Sequence, residues 1–278
     1  MLEYKGVTWV LYQQVLIPDV PPHVPVALSR EEARELLKRS GAYFIRWISD
    51  FDRGKEMAFW YIIKDTPDTL ESLGRKVRYE VRRGLKHCTV RRTGADDIAE
   101  NGWPVHVKAF EKYRSSAGPG SREMFVASIR KMQEPFWEFW SVLDPEGIMI
   151  AFAATRITEG CCKYDTVRFD PDYFHLNPSE ALFYTLNDYY LHQKGVRYID
   201  DGARSLAHDT SVQQYLIRKF GFRKAYCRMH VVYRPSVQLA VRLLYPFRRI
   251  IASFRNKFAA RVTVLLKHEE VRRSLELR

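Results

Sequence analysis

The sequence is poor in cysteine, and its cysteines form no recognisable motif. Cys88, Cys161, Cys162 and Cys227 are the only four in 278 residues, and none shows the two-residue separation of common metal and redox motifs. The adjacent Cys161 and Cys162 lie in a predicted strand, where neighbouring side chains point to opposite faces and cannot hold one metal ion together. We therefore expect buried, reduced thiols and no metal site.

Long apolar runs are also missing. No uncharged apolar stretch reaches the length of a membrane span, and residues 1–10 lack the basic and apolar regions of a signal peptide. Apolar residues make up 46% of the chain and charged residues 28%, which is typical of a globular protein with one large or two modest domains. We expect a cytoplasmic protein.

Acidic residues are scarce in two segments of this basic chain, whose formal net charge is +12. Residues 75–92 contain eight Lys and Arg against Glu80 alone, and residues 236–278 contain ten against three Glu. The remainder is slightly acidic. The positive charge is therefore localised, which indicates anionic partners at two places.

The apolar patterns predict an α+β fold. The N-terminal part is predicted to begin with a strand at 7–15 and a helix that Ser29 caps. A hairpin of the strands 42–48 and 57–63 and a basic helix at 69–87 follow. Two helices follow at 98–113 and 122–132, and then three antiparallel strands at 137–143, 148–157 and 161–169. The remaining elements are a helix at 177–193, a strand at 198–201, a helix at 211–219 and a last strand at 225–233.

We divide the chain into three segments. Residues 1–95 are predicted to form a strand and helix region with the hairpin and the basic helix. Residues 96–235 form a mixed, mostly antiparallel sheet flanked by helices, and residues 236–278 form a basic amphipathic helical extension.

Three short stretches carry a resemblance to a known family. Leu176–Leu182 resembles a Pro-containing helix start after a central strand, Tyr198–Gly202 a strand ending in an acidic residue and Gly, and Phe220–Phe222 the Phe-Gly that closes the next helix. Their order is similar to that of the GNAT superfamily of acyltransferases, in its Fem-like (FemABX-type) branch, over roughly residues 40–235. The resemblance implies acyl or aminoacyl transfer to an amine, with acyl-CoA or aminoacyl-tRNA as the donor.

The sequence departs from the family pattern where CoA pyrophosphate would bind. The expected Arg is Phe174, and the expected glycines are Asn177 and Ser179, which are the candidate donor-binding residues. Asn177 is predicted to cap the helix, with Glu180 completing a capping-box-like pair. That carboxylate would occupy the place of a phosphate, so no ordinary CoA site is expected and no cofactor is firmly implied.

A second departure lies in the following helix. Many family members have a Tyr or Lys there that assists the leaving group, but this chain has Ile217, which cannot donate a proton. Tyr215 lies about 200° around the helix and does not simply replace it. Arg218 and Lys219 are cations near this position that could serve the site, but we interpret them as solvated charges at the helix end.

The candidate catalytic residues follow the strand at 198–201. Asp201 could act as a base, Arg204 could hold a carboxylate or phosphate, and His208 could be a second base. A local ion pair between Asp201 and Arg204, with His208 at the surface, is the structural alternative.

Two further groups are candidate substrate-binding residues. Arg75, Arg78, Arg82 and Lys86 form one basic stripe on a predicted helix, which suits an anionic substrate or tRNA but also a solvated helix face. Asp165 and Arg168, on a predicted strand, could face a cleft or the solvent.

The extension at 236–278 combines bulky apolar residues with arginines at helical spacing. Such a helix can lie in an anionic membrane surface, which would place the protein at the inner face of the membrane, or can pack its apolar stripe on the domain. The leading hypothesis is a Fem-like acyl- or aminoacyltransferase. The alternative is a non-catalytic protein of the same fold that binds membrane or RNA through its basic surfaces.

Overall fold

The computed structural model describes residues 1–112, 118–132, 135–206, 211–254 and 256–274. The chain forms two compact units, each built from separate parts of the sequence. Unit 1 contains residues 1–62, 203–211 and 224–278, and unit 2 contains residues 63–202 and 212–223.

Eleven strands and ten α-helices are present in the described residues. The strands are β1 (Leu2–Tyr4), β2 (Val7–Tyr12), β3 (Val15–Pro18), β4 (Phe44–Ser49), β5 (Phe59–Lys64), β6 (Thr89–Thr93), β7 (Trp137–Leu143), β8 (Met149–Thr158), β9 (Cys161–Phe169), β10 (Tyr198–Ala203) and β11 (Arg223–Tyr233). The helices are α1 (Arg30–Ser40), α2 (Arg75–His87), α3 (Ala95–Asn101), α4 (Trp103–Lys112), α5 (Arg122–Arg130), α6 (Pro178–Asn187), α7 (Ser211–Phe220), α8 (Pro235–Leu244), α9 (Arg248–Ser253) and α10 (Lys257–Ser274).

The sheet of unit 1 starts with a hairpin that the sequence did not predict. The strand predicted at 7–15 is two antiparallel strands, β2 and β3, because Gln13 and Gln14 turn the chain with φ of 48° and 68°. β3 pairs parallel with β4, and β4 pairs antiparallel with β11. Both edges of β4 are therefore occupied, so the predicted hairpin of 42–48 with 57–63 is wrong.

Helix α1 begins as predicted. The Ser29 hydroxyl accepts from the Glu32 N–H, and the Glu32 carboxylate accepts from the Ser29 N–H, which completes a capping box. The helix ends at Gly41, whose φ of 74° is the left-handed conformation that stops helices. Its apolar face, Ala33, Leu36 and Leu37, packs against the β2–β4 side of the unit.

Unit 2 contains the mixed sheet that the sequence predicted. β6, β7, β8 and β9 pair antiparallel in that order, and β9 pairs parallel with β10 across α6. The predicted antiparallel pairing of β8 with β9 is therefore confirmed, as is the mixed, mostly antiparallel α+β fold flanked by helices. The parallel pair β9–β10 is what makes the sheet mixed. The parallel register joins Tyr198 to Cys161 and Asp200 to Lys163.

Three predicted helices have different bounds. The helix predicted from Thr69 begins only at Arg75, because the Thr69 and Ser72 side chains and backbones bond each other in a local turn. The helix predicted from Ile98 is interrupted at Gly102 and becomes α3 and α4. The helix predicted to reach Gln193 is α-helical to Asn187 and π-helical from there on.

The C-terminal extension is helical, as predicted, and contributes to the core of unit 1. Val241, Leu266 and Val271 are buried in one cluster with residues of β4 and β11. The division of the chain into segments 1–95, 96–235 and 236–278 stays a prediction.

All four cysteines are buried, and none forms a disulfide. Burial raises the pKa of the Cys88 thiol to about 11 and that of Cys161 to about 12, which keeps both protonated. In the described part of the chain no cluster of His, Cys, Asp and Glu could hold a metal ion, and no helix is long and apolar enough to cross a membrane.

Candidate functional site

The carboxyl-terminal half of β10 contains two consecutive aspartates, Asp200 and Asp201, in unit 2. The Asp200 side chain turns back and accepts a hydrogen bond from the Gly202 N–H at 2.8 Å, which the φ of 95° at Gly202 permits. Burial raises the pKa of Asp200 to about 6. Burial and the neighbouring Asp200 carboxylate raise the pKa of Asp201 to about 8.

A carboxyl with a pKa near 8 can both accept and release a proton near neutral pH. Groups tuned in this way are common at sites of acid–base chemistry, because the ideal pKa of a general base lies near the working pH. The position also fits, since ligands of open αβ sheets bind outside the carboxyl ends of the strands. The Asp201 carboxyl is therefore chemically suited to the role that the sequence suggested.

The other two candidate catalytic residues are not brought to this carboxyl by any described contact. Arg204 belongs to unit 1, where its guanidinium donates to the Ala58 carbonyl at 2.6 Å and lies 4.6 Å above the ring of Trp60. His208 lies outside the described residues.

The start of α6 differs from the predicted cap. Asn177 is the N-cap residue, as predicted, but it has φ 60° and ψ 44° and its side chain makes no capping hydrogen bond. The predicted capping-box-like pair with Glu180 is therefore wrong. The left-handed conformation arises because Asn177 ends the short 3-10 helix Pro171–Leu176 directly before α6. Pro178 occupies the first helical position, as predicted, and removes one N–H from this helix end.

Glu180 is the centre of a polar cluster at the same helix end. It is 4% exposed and accepts hydrogen bonds from Lys219 at 2.5 Å, Tyr215 at 3.0 Å and Ser179 at 2.9 Å. Lys219 also bonds Glu80 on α2 at 2.6 Å. Burial alone would raise the pKa of Glu180, but the Lys219 ammonium and the Ser179 hydroxyl lower it below the usual value.

The interpretation of Lys219 as a solvated charge is therefore wrong. Tyr215 and Lys219 are four residues apart on α7 and so share a helix face, which was the available signal. What the sequence could not show is that this face meets Glu180. Burial and the Glu180 charge raise the pKa of Tyr215 well above its usual range, so this hydroxyl stays protonated.

The cluster leaves the start of α6 poorly suited to a pyrophosphate. Pro178 offers no N–H, and the Glu180 carboxylate places negative charge beside the N–H groups that remain. Of the candidate donor-binding residues, Asn177 uses its N–H on the Phe174 carbonyl at 3.1 Å and Ser179 uses its hydroxyl on Glu180.

Helix α2 carries the basic stripe next to this cluster. It packs closely on α6, because a Cβ on Gly84 would lie 2.5 Å from the Asn177 carbonyl oxygen. Arg75, Arg82 and Lys86 are exposed and Arg78 is half-buried. Arg82 lies 4.0 Å from Glu71, and within the described chain the other three form no ion pair, so most of this charge is uncompensated.

The strand residues Asp165 and Arg168 have local partners. Asp165 forms an ion pair with Lys163 at 3.2 Å. Arg168 lies 5.5 Å above the ring of Phe110 and donates to the Val167 carbonyl. The buried Tyr164 hydroxyl donates to the Asn187 side chain of α6 at 2.8 Å, whereas Asp165 is exposed, so the two neighbouring side chains point to opposite faces of the sheet.

The sheet of unit 2, with its parallel pair β9–β10 joined through α6, defines a GNAT-type fold. Comparison with solved structures agrees. The chain is similar to FemX, with 13% identity, a TM-score of 0.53, and 76% of this chain and 79% of that chain covered. It is also similar to L-PGS from Bacillus licheniformis, with 13% identity, a TM-score of 0.50, and 95% and 85% covered. The Fem-like resemblance is therefore confirmed for the fold.

No family model matches the sequence, and the curated proteins include no significant match.

Proposed function

We propose that the chain transfers an acyl or aminoacyl group to an amine, with the Asp201 carboxylate as the general base. The observation that carries this proposal is the Asp201 carboxyl at the end of β10, whose pKa is raised to about 8. A GNAT-type sheet supplies the setting, and Ile217 cannot take part in proton transfer. Proton transfer is therefore assigned to Asp201.

The transfer has an addition stage and an elimination stage. The amine nitrogen attacks the donor carbonyl carbon, and Asp201 takes the proton that the nitrogen loses. The bond between that carbon and the leaving oxygen or sulfur then breaks, and Asp201 returns the proton to the leaving atom. One amide forms, one ester or thioester is consumed, and Asp201 ends ionised, as it began.

The donor that fits best is an aminoacyl-tRNA. The Glu180 cluster disfavours a CoA pyrophosphate at the start of α6, as argued above. Helix α2 packs on α6 through Gly84 and presents its cations to solvent, where a row of uncompensated Arg and Lys is suited to the repeated phosphates of RNA. We therefore propose that the anionic partner expected from the sequence is the tRNA of the donor.

The first experiment measures transfer by the full chain and by Asp201→Asn, using bulk aminoacyl-tRNA or acetyl-CoA with a panel of primary amines. We expect Asp201→Asn to lower the rate by roughly 10²–10⁴-fold. The wild-type rate should rise with pH toward a plateau above about 8, because only ionised Asp201 accepts a proton. Asp96→Asn, an exposed carboxylate of the same unit, is the matched control.

The same preparation identifies the donor. We expect acetyl-CoA to bind more weakly than about 10 μM, and tRNA to bind with a steep salt dependence. Replacing Arg75, Arg82 and Lys86 with Gln should weaken tRNA binding and reduce the salt slope, whereas Lys38→Gln with Arg39→Gln should not.

Two outcomes would contradict the proposal. Full transfer activity in a folded Asp201→Asn variant would remove Asp201 from the mechanism. Salt-dependent tRNA binding with no consumption of either donor would favour the alternative, a non-catalytic binding protein of this fold.

A further inference from the structure

The C-terminal helices of unit 1 expose an unusual number of large apolar side chains. Six of them between residues 239 and 258 are each more than half exposed: Leu239, Leu243, Phe247, Ile250, Phe254 and Phe258. We call these six residues the outer face. Phe258 is the most exposed, at 76%.

The outer face is distinct from the apolar residues through which the same helices pack on the core. The same helices pack a second set of apolar residues against the core of unit 1: Val241 is buried, and Leu244 and Ile251 are half-buried. The segment is therefore apolar on two sides, one inside the protein and one in solvent. A helix of this kind needs a second apolar environment, and clustered exposed apolar residues mark interaction sites.

The charge around the outer face selects the kind of partner. Between Cys227 and His268 the sequence contains no acidic residue, and Arg242, Arg249 and Arg261 are exposed among the apolar side chains. A second copy of the chain would bring these cations against their own counterparts. RNA would neutralise them but would leave six large apolar side chains in water. An anionic lipid surface satisfies both features.

A cavity of about 230 Å³ lies next to the outer face in the same unit. Its charged lining comes from α1, α8 and α10: Arg30, Arg34, Arg242, Glu269, Arg272 and Arg273. Gln238 of α8 and Tyr233 of β11 also line it. Glu269, 2% exposed, accepts two bonds from Arg272 at 2.8 Å and one from Arg273 at 2.7 Å. One carboxylate against five guanidinium groups leaves a strong positive charge.

Three of those arginines are available to a ligand. Arg30, Arg34 and Arg242 are exposed and have no ion pair or hydrogen bond within the described residues. Guanidinium groups bind phosphate oxygens through two parallel hydrogen bonds. The volume suits a small group such as a phosphate ester, since drug-sized ligands need larger pockets. Arg242 and Leu243 are adjacent on α8, so the cavity and the outer face meet at this helix.

We propose that α8, α9 and the start of α10 dock on an anionic phospholipid membrane, with the outer face in the acyl boundary and one lipid phosphate in the arginine-lined cavity. The cavity makes the contact a defined headgroup site in addition to a general attraction between charges. The proposal is independent of the transfer reaction and of Asp201.

The test is flotation of the full chain with vesicles of phosphatidylcholine alone or mixed with phosphatidylglycerol. We expect binding only to the mixed vesicles. Arg34→Gln with Arg242→Gln should lower the partition coefficient about thirtyfold, and high salt should reduce the difference. Phe254→Ser with Phe258→Ser should lower it by about tenfold or more at any salt concentration.

Matched controls separate the site from general effects. Arg39→Gln removes an exposed cation of α1 outside the cavity and should cost much less than Arg34→Gln. Met124→Ser removes an exposed apolar side chain of unit 2 and should change nothing. All these positions are exposed, so thermal melting should show folded variants.

Three results would overturn the proposal. Equal losses from Arg39→Gln and Arg34→Gln would show a diffuse attraction without a headgroup site. Unchanged vesicle binding by the Phe254→Ser, Phe258→Ser variant would show that the outer face does not contact the membrane. Calorimetric binding of glycerol phosphate or inorganic phosphate at the cavity, with no vesicle binding, would assign the cavity to a soluble ligand.

Discussion

At the scale of single residues, His268 shows how burial fixes a protonation state. It is 4% exposed on α10, and its Nε2 lies 3.2 Å from an Arg46 guanidinium nitrogen while its Nδ1 lies 2.8 Å from the Val264 carbonyl oxygen. Arg46 can only donate and the carbonyl can only accept, so the Nδ1–H tautomer is assigned. Burial and the Arg46 charge lower the pKa of His268 to about 4.

This shift predicts a loss of stability in mild acid. The unfolded chain protonates His268 near pH 6.5, whereas the folded chain resists until about pH 4, so stability falls as pH decreases between these values. Across the whole window the contribution is about 3 kcal/mol. Thermal or urea unfolding of wild type and His268→Gln across this window measures it as the difference between the two curves. Parallel curves would contradict it, since Gln cannot titrate.

The environment and partners of single side chains were the features that the sequence predicted least completely. The patterning placed Asp201 at a strand end, and the structure adds the burial that raises its pKa. The Glu180–Lys219 pair was missed because a salt bridge between α6 and α7 depends on how two helices pack. Local spacing contains no information on that packing, although the charge conflict at Glu180 itself was visible in the sequence.

At the scale of elements, the contact of α2 with α6 depends on one glycine. Gly84 is buried, and an added Cβ would meet the Asn177 carbonyl oxygen at 2.5 Å and the Ala181 Cβ at 3.0 Å. Backbone on α6 cannot give way as a flexible side chain could. The close approach therefore requires the absence of a side chain at this position.

We expect Gly84→Ala to destabilise unit 2 by about 1–3 kcal/mol, the usual range for overpacking. The same change in an exposed helix would stabilise by up to about 1 kcal/mol, so the predicted sign is opposite to helix propensity. Arg83→Ala, at an exposed position of the same helix, should cost little. Denaturant unfolding of the three chains measures the difference, and a more stable Gly84→Ala variant would show that α2 can move away from α6.

Elements with strong local signals were predicted well. β7 and β9 have the predicted bounds, and the Ser29 capping box fixed the start of α1. The failures occurred where weak or unexpected local structure interrupted a pattern. Gln13 and Gln14 form a turn without the usual Asn-Gly, and the Thr69–Ser72 turn delays α2 to Arg75.

At the scale of the whole molecule, the two units are assembled from segments far apart in sequence. The C-terminal residues from 224 return to the N-terminal 62, and residues 203–211 join them. Segments chosen from changes in composition along the sequence cannot include contacts between residues that are far apart in the chain. The basic tail illustrates this, because its composition separates it from the preceding segment while its buried residues join it to β4 and β11.

Removal of residues 241–278 tests this assembly directly. The sequence alone left open whether the tail packs on the domain or lies in a membrane surface. The structure buries Val241, Leu266 and Val271 against Phe44 and Met229, so we expect unit 1 of the shortened chain to unfold. Each buried aliphatic side chain contributes about 1.5–3 kcal/mol, so the loss of these three removes about 5–9 kcal/mol, which is comparable with the whole stability of a typical domain.

Amide hydrogen exchange of the shortened chain should therefore show lost protection in β4 and β11. The full-length Phe254→Ser, Phe258→Ser variant is the control, because it alters only the outer face and should keep wild-type protection. A shortened chain with wild-type melting and protected β4 and β11 would show that the tail adds little to the core. Loss of protection in the outer-face variant would instead show that these phenylalanines stabilise the fold, and would weaken their assignment to a membrane.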